Sequence, residues 1–141
     1  MHVDQISVFL ENESGGLADV AAVLGRSGVD IRALSLADET DFGILRLIVD
    51  DDERATSALR EAGFTVRRTP VVAVQVLDRP GGLATVLDAL RGTAVEYMYA
   101  FVQKRGEHAI VVFRFEDVEG ALGVLRAAGV RILGPDDLKQ L

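Results

Sequence analysis

Two glycine pairs are the residues of this chain whose type and spacing could do chemistry. Gly15-Gly16 and Gly81-Gly82 each follow a β-rich run and precede a run with helical spacing, which predicts a sharp turn into a helix. The first N–H groups of a helix have no intrahelical acceptor, so such a turn can bind an anion such as a carboxylate. The alternative is a purely structural role, because a glycine pair also permits tight turns and close packing.

Polar residues near the two glycine pairs could supply the other half of an amino-acid site. Asn12 and Asp78 lie three residues ahead of the pairs, and Asp30 and Glu96 occupy one shared position in the two halves of the chain. Carboxylate and amide oxygens accept hydrogen bonds from an ammonium group, while the helix N–H groups take a carboxylate. The sequence therefore predicts recognition of a free α-amino acid. The alternative for Asp30 and Glu96 is a solvated acidic residue at the start of a strand.

The two turns belong to an internal repeat. Gly81 lies 66 residues after Gly15, and the same offset holds without a gap from the first strand to the last. Matching pairs along the repeat include Val20 and Val86, Leu59 and Leu125, and Gly63 and Gly129. This duplication predicts two small homologous domains with the bounds 1–69 and 70–141. Thr69-Pro70 marks the predicted seam, after a strand that should end at Arg68.

Hydrophobic periodicity gives each half the same order of elements. The first half has four predicted strands and two predicted helices: strands at 5–10, 29–37, 43–49 and 64–68, and helices after Gly16 and at 52–62. An apolar stripe on the first helix comprises Leu17, Val20, Ala21 and Leu24. The βαββαβ order is the ferredoxin-like arrangement. The predicted fold class is α+β: two ferredoxin-like βαββαβ units side by side, with antiparallel sheets and helices on one face.

The strand sequences predict self-association. The runs 43–49 and 110–115 are apolar on both strand faces, whereas a sheet with one bare face alternates more cleanly between apolar and polar residues. We therefore expect another copy of the chain to cover part of the helix-free face, which predicts a homodimer.

The acidic run 50–53 could be interpreted as a metal site, but its position favours helix capping. It lies where a strand meets a helix, and carboxylates there accept hydrogen bonds from unpaired N–H groups. Asp51 recurs as Asp117 at the matching helix start. We therefore predict that Asp51 and Asp117 cap helices and that the chain has no metal site.

The sequence lacks catalytic motifs. Its two histidines, His2 and His108, have no nucleophile beside them, and neither a Gly-x-Ser-x-Gly elbow nor a Gly-x-x-x-x-Gly-Lys loop occurs. The chain has no cysteine, which excludes disulfides and thiolate chemistry. We therefore expect a protein that is not an enzyme and that needs no cofactor.

Charge and hydropathy narrow the range of partners and compartments. A net charge of −7 disfavours attraction to nucleic acid or to anionic membrane surfaces. No apolar run reaches the roughly 18 residues of a membrane span, and the N-terminus lacks a signal-like pattern. We therefore expect a cytoplasmic protein with no nucleic-acid or membrane partner.

The combination of turn, helix and second strand resembles an ACT domain. The residues that carry the resemblance are Glu11-Asn12-Glu13-Ser14-Gly15-Gly16-Leu17, Gly28-Val29-Asp30-Ile31-Arg32-Ala33-Leu34 and, in the second half, Val76-Leu77-Asp78-Arg79-Pro80-Gly81-Gly82-Leu83. The chain as a whole resembles small stand-alone proteins made of two ACT domains, which implies regulation by an amino acid bound between domains.

The resemblance also implies which residues meet at each site. In the serine-sensing type of ACT domain, one Asn in the first loop and one Asn at the start of the partner's second strand hold the ligand. The loop position corresponds to Asn12 and Asp78, and the strand position corresponds to Asp30 and Glu96, which are both acidic here. We hypothesise that the turn with Asn12 is the stronger site, because an amide can satisfy either end of a zwitterion.

The predicted ligand-binding residues are the two glycine turns, their neighbours and the two strand starts: Asn12, Ser14, Gly15, Gly16, Leu17, Asp30, Ile31, Asp78, Pro80, Gly81, Gly82, Leu83, Glu96 and Tyr97. The leading functional prediction is a non-catalytic regulatory module that binds a free amino acid between two ACT domains and signals through domain or dimer rearrangement. A metabolic enzyme is a further candidate partner. The alternative is a ligand-free scaffold that oligomerises and docks on such an enzyme. The sequence leaves open which amino acid binds and which pathway is regulated.

Overall fold

A computed structural model describes residues 2–11, 15–38 and 42–141 of the chain. Its internal contacts divide the chain into two compact units: Asp4–Thr69 form one, here called the N-terminal unit, and Pro70–Leu141 form most of the other, the C-terminal unit. The domain bounds 1–69 and 70–141 stay a prediction, since compactness within one chain does not show that each half folds alone.

The N-terminal unit contains an antiparallel sheet and two helices. In chain order its elements are β1 (Val3–Glu11), α1 (Gly16–Arg26), β2 (Ile31–Asp38), β3 (Phe42–Val49), α2 (Asp52–Glu61) and the first part of β4 (Thr65–Leu77). The strand order is β2-β3-β1-β4, and β3 pairs antiparallel with both β1 and β2. Alternate residues of β1 (Ile6, Val8 and Leu10) join the core with Val20 and Leu24 of α1.

The C-terminal unit repeats this arrangement. The second part of β4 is followed by α3 (Gly82–Ala89), β5 (Val95–Ala100), β6 (His108–Phe115), α4 (Val118–Ala127), β7 (Ile132–Leu133) and the short α5 (Pro135–Lys139). β6 pairs antiparallel with β4 and β5, and β7 pairs with β4. Both units therefore have βαββαβ order, antiparallel sheets and helices on one face, which confirms the predicted fold class.

The predicted strand end at Arg68 is wrong, because β4 continues through Thr69 and Pro70 as one strand of 13 residues. Proline favours an extended predecessor and itself adopts a φ that a strand tolerates, although it donates no hydrogen bond. The carbonyl oxygen of Pro70 accepts a hydrogen bond from Arg114 Nη1 at 2.8 Å. The boundary between the two compact units thus falls between Thr69 and Pro70, within a strand that continues on both sides.

The predicted apolar stripe of α1 is partly correct. Val20 and Leu24 are buried as expected, and Val23 joins them. Leu17 is 47% exposed, because it lies in the first turn of the helix, next to the glycine pair. The core-facing part of α1 therefore lies nearer its C-terminal end than the periodicity predicted.

Several positions on the helix-free faces are buried in the single chain. Gln5 and Ser7, which alternate with the core residues of β1, are 0% and 7% exposed, and Gln5 Nε2 donates a hydrogen bond to Ser7 Oγ at 3.1 Å. In the C-terminal unit, Ala73 and Val112 are fully buried. The homodimer stays a prediction.

The predicted helix caps are confirmed. Asp51 Oδ1 accepts a hydrogen bond from the N–H of Arg54 at 3.1 Å, and Asp117 Oδ1 accepts one from the N–H of Gly120 at 3.0 Å. Each carboxylate therefore satisfies an N–H group that the helix itself cannot pair. No helix in the described part of the chain is both long and apolar enough to cross a membrane.

We expect Asp117→Ala to lower the free energy of unfolding by about 1 kcal/mol, because the N–H of Gly120 loses its acceptor. Asp117→Asn should preserve most of this stability, since an amide oxygen caps as well. Urea unfolding of both variants measures the difference. Equal losses in the two variants would show that the hydrogen bond is not the source of the stabilisation.

Candidate functional site

Each glycine turn has the geometry expected of a strand-to-helix corner. Gly15 and Gly81 are the N-caps of α1 and α3, with φ of 97° and 84°, a left-handed conformation that glycine adopts without strain. Neither helix has a side-chain cap from the described residues. The turns therefore leave N–H groups without a side-chain acceptor, as the sequence predicted.

The N–H groups of the second turn are only partly available. Gly82 donates its N–H to the carbonyl oxygen of Arg79 at 3.0 Å, and Thr85 donates to Gly81 at 3.1 Å. The N–H groups of Leu83 and Ala84 have no acceptor within residues 70–141. A ligand at this turn can therefore use Leu83 and Ala84 but not the Gly82 amide.

A cleft lies beside each turn, between the end of the first strand, the start of the first helix, the start of the third strand and the turn into the fourth. Its volume is about 490 Å³ in the N-terminal unit and about 430 Å³ in the C-terminal unit. The described lining residues of the first cleft are Phe9, Leu10, Glu11, Gly16, Asp19, Phe42, Gly63, Phe64 and Thr65. Every one has its equivalent 66 residues later in the second cleft: Gln75, Val76, Leu77, Gly82, Thr85, His108, Gly129, Val130 and Arg131. The duplication has thus preserved the cleft.

The chemistry of the two clefts has diverged. The first contains two carboxylates, Glu11 and Asp19, and no lysine or arginine among its described lining residues. The second contains Arg79, Arg131 and His108 and is lined by no carboxylate. The equivalent clefts of the two units are therefore lined by side chains of opposite charge, acidic in the first and basic in the second.

The acidic residues predicted to bind an ammonium group are ion-paired within their own units. Asp30 Oδ2 lies 3.2 Å from Arg32 Nη1, and Glu96 Oε2 lies 3.4 Å from Arg114 Nε. Asp78 pairs with the Nζ atom of Lys104. These acids are therefore not isolated charges, and a ligand ammonium has to compete with a cation for each of them.

Within one unit, the glycine turn and the acidic strand start lie at opposite ends of the sheet. Glu11, next to the first turn, pairs with Phe42, whereas Ile31, next to Asp30, pairs with Val49. The intervening stretch of β3 spans about 23 Å, since a strand rises about 3.3 Å per residue. One unit does not bring both groups to one amino acid, so a site that uses both needs two ACT-like units.

The remaining predicted residues have varied surroundings. Asn12 and Ser14 lie outside the described residues. Pro80 and Gly81 line the second cleft. Ile31 packs against the core of its unit, and Tyr97 stacks on Tyr99 with 6.5 Å between ring centroids. Gly16 lines the first cleft, whereas Leu17 and Leu83 are 47% and 39% exposed.

The sequence reasoning missed the charged and polar walls of the second cleft. Gln75, Arg79, Thr85, His108 and Arg131 were not among the predicted ligand-binding residues, yet all five line it. They come from separate segments, and only the strand pairing brings them together. The 66-residue repeat was the one signal for these residues in the sequence, since it relates each of them to an equivalent position in the first half.

Comparison with known proteins agrees with this architecture. A profile of the family described as ACT domain pair matches residues 1–141. The crystal structure of protein BT0572 from Bacteroides thetaiotaomicron is 40% identical, and the match covers 100% of this chain and 98% of that chain with a TM-score of 0.91. No curated protein matches the chain.

More distant solved structures share the fold. The regulatory subunits of aspartate kinase from Thermus thermophilus and Thermus flavus are 20% and 19% identical, with TM-scores of 0.63 and 0.60. The matches cover 90% and 89% of this chain, and 92% of each subunit. The resemblance inferred from the glycine turns is confirmed by the family profile, which spans the whole sequence. This chain belongs to the ACT domain pair family.

Proposed function

We propose that this ACT domain pair is a non-catalytic regulatory module that binds a free amino acid at its glycine turns, where two ACT domains meet. Binding then biases a rearrangement of the domains or of a dimer, and a metabolic enzyme receives the signal. The observation that supports the proposal most is the repeated cleft beside a glycine turn whose helix has no side-chain cap from the described residues. A small anionic group suits such a turn, because unpaired helix N–H groups and the helix dipole both favour negative charge.

The ammonium group of the ligand would be held by an acidic residue at a strand start. The side chains of Asp30 and Glu96 are 65% and 47% exposed, so a ligand ammonium can reach them, while their partners Arg32 and Arg114 are only 17% and 23% exposed. A positioned ammonium would share each carboxylate with its arginine, because displacing the acid would leave a largely buried guanidinium without its charge partner. The ligand would therefore bridge a glycine turn and an acidic strand start, which lie far apart within a single unit. Binding would in this way favour one arrangement of the domains over another.

Asn12→Ala is expected to weaken amino-acid binding by about ten- to a hundredfold, since losing a hydrogen bond to a charged group costs about 1.5–3 kcal/mol. Isothermal titration of the purified chain with each common amino acid measures the affinity. Ser57→Ala, on the exposed side of α2, is the matched control and should leave it unchanged. Equal affinities in the two variants would remove Asn12 from the site, and no binding by any amino acid would overturn the proposal.

A ligand-free scaffold is the second candidate, and the edge of the N-terminal sheet favours it. β2 is the last strand of that sheet, and its Leu34 and Leu36 are 49% and 52% exposed. Exposed apolar side chains on an unpaired edge strand are a common basis for association. Sedimentation with and without amino acids separates the candidates: an assembly that binds none of them and does not change in their presence supports the scaffold.

A further inference from the structure

We infer that the cleft of the C-terminal unit selects an amino acid whose side chain is itself a carboxylate. This inference rests on the proposed function and adds the ligand class for one of its two turns. It follows from the charges that the duplication has placed around one conserved cleft. The volume of about 430 Å³ lies within the usual range for small-molecule sites, about 300–1,000 Å³.

The positive charge around the second cleft exceeds its negative charge. Arg105 Nη1 and Arg131 Nη2 share a single carboxylate oxygen, Asp137 Oδ1, at 3.9 Å and 3.6 Å. Asp137 also accepts a hydrogen bond from the N–H of Gly134 through Oδ2. One carboxylate therefore serves two guanidinium groups and a backbone donor, so it offsets only part of their charge.

Arg79 adds a further guanidinium to this cleft. It lines the cleft wall, and no acidic side chain within residues 70–141 pairs with it. The nearby Asp78 is paired with Lys104. The ammonium group of Lys104 therefore offsets the negative charge of Asp78, which would otherwise repel an anionic ligand at the second turn.

These groups suit two carboxylates on one small molecule. The free N–H groups of Leu83 and Ala84 take the α-carboxylate, as in the proposed function, and the guanidinium groups of Arg79 and Arg131 take the carboxylate of the side chain. Guanidinium groups present planar pairs of donors that match a carboxylate. Gln75 Oε1 accepts a hydrogen bond from Arg105 Nη1 at 3.2 Å and has a second lone pair. It can therefore accept a further hydrogen bond from the ammonium group, in addition to the acidic residue named in the proposed function.

The equivalent cleft of the N-terminal unit provides an internal control. Its walls carry Glu11 and Asp19 in place of Leu77 and Thr85, and Thr65 stands where the second cleft has Arg131. Two carboxylates repel a second carboxylate on the ligand. The acidic amino acid should therefore bind at one site per chain, whereas a neutral amino acid has no charge-based reason to avoid the first turn.

The test compares isosteric ligands by isothermal titration of the full chain. Aspartate should bind at least roughly tenfold more tightly than asparagine, or glutamate than glutamine, because only the acid gains the charged contacts with arginine. The double variant Arg79→Gln and Arg131→Gln should reduce this preference to about twofold. Arg91→Gln removes a positive charge outside the cleft lining, where Arg91 pairs with Asp88, and should retain the preference.

The outcomes separate this inference from the proposed function. If asparagine or glutamine binds as tightly as the acid, the amino-acid module stands and the acidic selectivity is wrong. If no amino acid binds, both are wrong. Succinate or inorganic phosphate that binds as tightly as aspartate would show a general anion site and overturn the amino-acid assignment. A preference that survives in the double variant would overturn the role of the two arginines.

Discussion

Replacing Gly82 with alanine is expected to lower the free energy of unfolding by about 3 kcal/mol, at the upper end of the cost of overpacking. A Cβ atom at this position would overlap the carbonyl oxygen of Leu77 and lie 2.9 Å from its carbonyl carbon. Both atoms belong to the backbone at the end of β4, so no side-chain rotation relieves the overlap. The strand end or the start of α3 has to move.

Gly16→Ala is the matched control, because Gly16 is the equivalent residue of the first turn. Among the residues that the structure describes, a Cβ atom there would meet only Leu10 Cδ2, at 3.7 Å, which is ordinary van der Waals contact. We expect a change of at most about 0.5 kcal/mol, because the higher helix propensity of alanine offsets the small adjustment of Leu10. Urea unfolding of both variants measures the contrast, and equal losses would show that close approach to Leu77 does not explain the second glycine.

Gly82→Ala should also disturb ligand binding at the second turn, since Leu77 and Gly82 both line that cleft. This is a positional effect, because Gly82 donates its own N–H to Arg79 and does not offer it to a ligand. The predicted role of Gly82 thus changes from hydrogen-bond donor to the residue that allows the strand end to lie against the helix start.

The fold could be predicted from the sequence because its determinants are local and occur in both halves of the repeat. Turn glycines, capping carboxylates such as Asp51 and Asp117, and apolar periodicity act within a few residues of each other. The 66-residue repeat then confirmed each element against its copy. The predicted strand end at Arg68 is wrong because it also relied on a local rule. The rule that proline interrupts a strand does not reveal that the extended chain continues through Pro70.

The candidate site could be predicted only in part because its walls come from distant segments. The glycine turns were found from local pattern, whereas His108 and Arg131 reach the second cleft through the pairing of β4 with β6 and β7. Two of the three acidic residues also have remote partners: Arg114 lies 18 residues after Glu96, and Lys104 lies 26 residues after Asp78, whereas Arg32 lies close to Asp30. Sequence spacing identified the acids but not the cations that hold them.

The second large loss of stability is expected from a substitution in the hydrophobic core of the C-terminal unit. Leu125→Ala, in α4, should lower the free energy of unfolding by about 3 kcal/mol, within the range of about 2–5 kcal/mol for buried leucines. Leu125 is fully buried and packs in a cluster with Phe113 and Phe115, whose rings stack at 5.3 Å. Alanine would leave a cavity against two rigid rings, which can collapse only partly. Leu125→Met, which conserves volume, should cost less than about 1.5 kcal/mol.

The repeat supplies a paired experiment in the other unit. Leu59, the equivalent of Leu125, is also fully buried, so Leu59→Ala should cost a similar amount, about 3 kcal/mol. Both tyrosines of the chain, Tyr97 and Tyr99, lie in the C-terminal unit, and there is no tryptophan, so tyrosine fluorescence follows that unit while circular dichroism follows both. Leu125→Ala must lower the midpoint of the tyrosine transition in urea. A normal tyrosine midpoint in Leu125→Ala would contradict the packing of α4 described here, because a cavity beside Phe113 and Phe115 cannot leave its own unit equally stable.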